Sequence, residues 1–159
     1  MLTNLITDRT AADVAAFIRL RDKGWDNMTT AEREQWTDGM KGAYNASDIN
    51  RVCSALNYIR DILTEAGYLS GREFSLKTNW TTGEVITADF FNSYINAVEI
   101  VRGALVQIDT TPKTPVNVGS LDYKDANNIE KILIDMYDIY QLMMQTKNIY
   151  CGDIYCGEI

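Results

Sequence analysis

The stretch Asn45-Ala46-Ser47-Asp48-Ile49-Asn50-Arg51-Val52-Cys53-Ser54-Ala55-Leu56-Asn57-Tyr58-Ile59-Arg60-Asp61-Ile62-Leu63 decides the fold class. It opens with residues whose short polar side chains satisfy the free N–H groups of a first helical turn. Ile49, Val52, Leu56, Ile59, Ile62 and Leu63 then recur at helical spacing on one face, and Gly67 stands where a helix of this length would be capped. A long amphipathic helix follows from that pattern.

The same reading extends in both directions. Upstream, Thr10 and Asp13 start a helix carrying Val14, Phe17, Ile18 and Leu20, to about Asp22, and Gly24 breaks it. Thr29-Thr30-Ala31-Glu32 is a capping box for a short helix that carries Trp36 and ends near Gly39; Trp25 and Trp36 read as core or inter-helix plugs. Downstream, residues 68–84 read as a loop, with a short extended pair around Phe74-Ser75-Leu76. Thr87 caps a helix bearing Phe90, Phe91, Tyr94, Ile95, Val98, Val101 and Leu105, which stops before Thr110. Pro112 and Pro115 keep the next connection non-helical, and Asp122-Tyr123-Lys124-Asp125 opens a last helix with Ile129, Ile132, Leu133, Met136, Ile139, Tyr140, Met143 and Met144. Its apolar band is wider than one neighbour covers, so this helix is central or buries one side against another subunit.

The three long helices superimpose without gaps. Asn50, Asn92 and Asn127 align, together with Val52, Tyr94 and Ile129, and with Leu56, Val98 and Leu133. A shorter echo pairs Asn27-Met28-Thr29-Thr30-Ala31-Glu32 with Asn79-Trp80-Thr81-Thr82-Gly83-Glu84. The repeated Asn reads as an amide tying down the loop that precedes its helix, since Asn near a helix start bonds local backbone groups; contact with a partner is the competing reading. The expected architecture is mainly α: a helical bundle of three long helices plus one or two short ones over residues 1–147, with an extended C-terminal docking tail at 148–159.

Composition narrows the function classes. Asp and Glu number 22 against 15 Lys and Arg, a formal charge of -7 that disfavours nucleic acid and anionic membrane surfaces. The start, Met1 to Arg9, lacks a charged region followed by an apolar one, so no signal peptide is read there and synthesis in a host cytoplasm is expected. The sequons at Asn27, Asn45 and Asn79 coincide with helix starts and turns and read as caps. Cys53 falls beside Val52 and Leu56 and is expected buried and unbonded, while Cys151 and Cys156 give no disulfide framework and no zinc tetrahedron.

With no His, the commonest general base and metal ligand is missing, and no phosphate-cradling glycine loop occurs. Carboxylate pairs could still serve a glycosidase. Yet Asp48, Asp89, Asp122 and Asp125 sit at helix starts and Glu99, Glu130, Asp135 and Asp138 on polar helix faces, and all of them read as solvated surface. No catalytic, cofactor-binding or metal-binding residues are assigned, and no cofactor is expected.

The run Tyr44-Asn45-Ala46-Ser47-Asp48-Ile49-Asn50-Arg51-Val52 resembles segments that recur in structural proteins of phages and prophages of Firmicutes, usually encoded among tail and baseplate genes. Thr7-Asp8-Arg9-Thr10-Ala11-Ala12-Asp13-Val14, Asn79-Trp80-Thr81 and the repeated Tyr-Cys-Gly-acid-Ile ending at 150–159 are similar to the same group, in which serine often replaces these two cysteines. The resemblance implies a non-enzymatic virion component of the tail, baseplate or fibre attachment, in several copies and in contact with other virion proteins. Tyr137 and Met144 on the last helix, with Tyr150, Ile154, Tyr155 and Ile159 beyond it, are the docking candidates. The alternatives are a small bacterial helical adaptor or regulatory binding module, and an accessory domain of a wall hydrolase.

Overall fold

The computed structural model describes residues 2, 4–116 and 121–147. It is mainly helical: α1 (Ala11–Lys23), a 3₁₀ turn (Trp25–Asn27), α2 (Thr30–Thr37), α3 (Ala46–Glu65), α4 (Ala88–Arg102) and α5 (Tyr123–Lys147). Each expected helix is present, and among the described residues there is no strand.

Caps set the boundaries. Thr10, Thr29 and Asn45 close full capping boxes with Asp13, Glu32 and Asp48, Thr87 accepts from the Phe90 amide, and Asp122 accepts from the amides of Lys124 and Asp125. Gly67, at φ +84°, ends α3: its amide donates to Thr64 O and that of Tyr68 to Leu63 O, a pairing that needs the left-handed backbone glycine supplies. The two echoed segments part at one residue. Glu84 caps Thr81 as Glu32 caps Thr29, but Gly83, at φ +99°, stands where Ala31 continues into α2, so only the first box opens a helix.

The three long helices run parallel. Their first turns meet at one end, where Tyr44 and Ile49, Ile86 and Phe91, and Asp122, Tyr123 and Ala126 border a common cavity of about 350 Å³. Parallel neighbours require long returns, here residues 66–87 and 103–122. Val52, Leu56, Ile59, Leu63, Ala97, Val98, Val101, Ile129, Ile132, Leu133 and Met136 form the core between them. The wide band of α5 has its reason here: it packs on both α3 and α4.

A second, smaller core lies in the N-terminal region. Leu20, Met28 and Met40 are buried there, with Phe17 stacked on Trp36 at 5.4 Å. Trp25 is not a plug; it is 50% exposed, with the Arg33 guanidinium over its ring at 5.3 Å. Leu105 is buried but lies beyond the end of α4. The expected extended pair near Phe74 does not form, because that segment bonds to helix side chains instead.

Candidate functional site

Three extended segments, here called straps, run antiparallel along the three long helices. On α3, Arg60 donates to Phe74 O; the Asn57 amide then brackets Leu76, donating to its O at 2.8 Å and accepting from its N at 3.1 Å. Asn50 brackets Trp80 in the same way, at 2.8 and 2.7 Å. On α4, Arg102 donates to Pro112 O at 2.8 Å and Thr114 donates to Glu99. Arg60 and Arg102 each follow the repeated Asn by ten residues, and Asn57 and Glu99 by seven, so the strap register repeats as well.

The strap on α5 comes from the other end of the chain. Asn127 brackets Arg9, accepting from its N at 3.0 Å and donating to its O at 2.9 Å, while Ile6 N donates to Glu130 at 2.5 Å. Each bracket offers a backbone both bonds that a neighbouring strand would give, through a primary amide that carries one donor face and one acceptor face. The bracketed residue is followed in both cases by a Thr–acid box: Thr10 with Asp13, Thr81 with Glu84. The expectation that the repeated Asn ties down the loop before its own helix is corrected. Its partners lie 30 and 118 residues away. Asn92 occupies the same place on α4; it is exposed, and its side chain has no hydrogen-bond partner among the described residues.

Beneath the α5 strap lies a buried cluster of four charges. Arg9 contacts Asp48 at 3.0 Å and Glu130 at 2.8 Å, and Arg51 contacts the same two carboxylates at 2.6 and 3.1 Å. Arg9, Asp48 and Glu130 are 4%, 5% and 0% exposed, so the solvated reading of Asp48 and Glu130 is overturned, as it is for Asp135 at 4%. Two positive and two negative groups leave the site neutral, which is the condition for holding charge away from water. Burial works against the charge on Arg51, but Glu130 and Asp48 outweigh it and raise its pKa. The Arg9 guanidinium also donates to Ile6 O at 2.8 Å and lies 5.5 Å from the centroid of the Tyr44 ring, whose hydroxyl pairs with that of Tyr94 at 2.8 Å. Burial pushes both phenols above their ordinary range.

Sequence reading missed this cluster. A signal for Glu130 was present, since it lies four residues after Ala126 and three before Leu133, on the apolar face of α5. Asp48 was masked by its capping role, which it performs at the same time: Oδ2 accepts from Asn45 N while Oδ1 takes the guanidiniums.

The docking candidates divide. Tyr137 is half-buried, its ring tilted against Tyr58 at 6.1 Å, and Met144 is half-buried near the end of α5, where Leu142 is 61% exposed. Tyr150, Ile154, Tyr155 and Ile159, like Cys151 and Cys156, lie outside the described residues. Cys53 is buried and free, and burial pushes its thiol up to about 12. Among the described residues no cluster of metal-ligating side chains occurs, and no helix is long and apolar enough to cross a membrane. Set against known protein families, curated proteins and solved structures, the chain matches none of them.

Proposed function

We propose that this chain is a non-enzymatic structural component of a phage or prophage particle, in the tail, baseplate or fibre attachment, and that it docks on neighbouring virion proteins through the end of α5 and the segment that follows. The observation that carries the docking reading is the overrun of α5. It has 25 residues where α3 has 20 and α4 has 15; past Met136, the last buried residue described, Ile139, Tyr140 and Met143 still pack on the core, while Tyr137 and Met144 are half-buried and Leu142 is 61% exposed. A helix end that leaves Leu142 exposed beside half-buried Tyr137 and Met144 gains by burial against another molecule. The buried carboxylates Asp48 and Glu130 are neutralised by arginines and hold a strap, which supports an architectural use of these acid groups over a catalytic one. The virion assignment rests on the resemblance of the Tyr44–Val52 segment and its companions.

Deleting residues 148–159 tests the docking reading. The truncated chain is expected to keep its helical circular-dichroism signal and cooperative melting while failing to enter particles. Normal incorporation of the truncated chain overturns the docking role, and absence of the full chain from purified particles by mass spectrometry overturns the virion assignment.

A further inference from the structure

Each strap on α3 and α4 belongs to the return that follows its helix, but the strap on α5 is residues 4–9, from far upstream in the chain. The ring of three helix–strap units is thus closed by a segment that lies 118 residues from its partner on the helix it covers, not by the return that follows that helix. We propose that residues 4–43 exchange between two copies of this chain, the strap of each seating on α5 of the other.

Three observations carry this. The N-terminal region has its own core of Leu20, Met28 and Met40, and the packing of α1 and α2 on the three long helices is sparse, so the region keeps its internal contacts when it moves as a body. It ends at a defined place. Gly42 is pressed against the start of α1, where an added Cβ would lie 2.0 Å from Asp13 O, so Gly42 travels with α1 and the pivot falls between it and the Asn45 cap of α3. The seam is loosely filled: the 350 Å³ cavity is bordered by Arg9, Val14, Gly42 and Ala43 on one side and the first turns of the long helices on the other.

The bonds made by the strap, Arg9 to Asn127, Asp48 and Glu130 and Ile6 to Glu130, are identical whether strap and groove share a chain or not. Concentration and the pivot therefore decide between the closed monomer and the exchanged dimer. Any setting that crowds copies together favours exchange, so the inference stands independently of the virion assignment.

Two charge reversals test it. Arg9→Glu puts a third carboxylate into the cluster of its own chain, and Glu130→Arg puts a third guanidinium there. Exchange between the two variants restores two positive and two negative groups at both sites. Co-refolded at equal amounts, they are expected to form a soluble 1:1 heterodimer by light scattering and native mass spectrometry, melting well above either variant alone. The wild-type chain, mixed as heavy- and light-isotope forms, is expected to give mixed-mass dimers that increase with concentration. If the co-refolded pair yields monomers or precipitate and the wild type stays monomeric from micromolar to millimolar, the exchange does not occur.

Discussion

The α3 strap and the α5 strap are gripped by the same amide at the same helical position, yet they lie on different beds. Trp80 packs edge-on against Phe90 at 4.6 Å under the Lys77 ammonium at 4.3 Å, and a second bracket at Asn57 shares the work. Arg9 enters a four-charge cluster with 4% of its surface exposed. The amide sets the register in both places, and the bed sets how a strap fails. Losing part of an apolar, twice-bracketed contact weakens it by degrees. Losing one member of a buried ion cluster strands the others without water or partner.

The largest effect that could break this contrast is therefore at Arg9. Arg9→Met is expected to cost about 3–5 kcal/mol in urea unfolding, because Asp48 and Glu130 are left buried with one guanidinium between them. A loss under about 1 kcal/mol, the usual worth of a surface pair, would show that the cluster is hydrated and the contrast false.

Next come the amides themselves. Asn50→Ala and Asn127→Ala each remove two bonds to a strap backbone and are expected to cost about 2 kcal/mol each. The sharper measurement is the double mutant with Arg9→Met. Asn127→Ala should be strongly non-additive with it, since both act on one residue, and Asn50→Ala should add simply.

The smallest effects lie in the Thr–acid boxes that follow the two straps. The Lys77 ammonium and the Thr81 backbone hold Glu84 down to about 2, and the Thr10 hydroxyl and backbone lower Asp13. Both folded values lie below the unfolded ones, so the contribution is present above the ordinary carboxylate range, near 4.5 for Glu84, and is lost as pH falls toward about 2. Carboxyl-carbon NMR titrations should find Glu84 and Asp13 among the last side chains to protonate. Ordinary midpoints would mean that the boxes are open in solution.

The helices were legible because their signals are local. Capping boxes at Thr10, Thr29 and Asn45, the glycine after α3 and the three- and four-residue spacing of Ile49, Val52 and Leu56 each act within a turn or two. The gapless alignment of Asn50, Asn92 and Asn127 was also legible, but its purpose was not. Asn127 bonds a residue 118 positions away, and no local pattern names such a partner. The charge cluster was hidden by a similar limit. An acid on a helix reads as solvated until the neighbour that neutralises it is known, and Arg9 stands in a stretch without helical period. Trp25 erred in the other direction, because apolar size suggested burial while the 3₁₀ turn carrying it faces outward.

The origin of the α5 strap also bears on how the molecule comes into being. Residues 4–9 are made long before the helix that receives them, which is completed only after nearly the whole described chain has been synthesised. The two parallel crossovers and the pairing of residues 6–9 with α5 add distant contacts that a bundle of hairpin-linked helices lacks, and such contacts slow folding. Through that interval Leu2, Leu5 and the Arg9 charge have no groove to occupy.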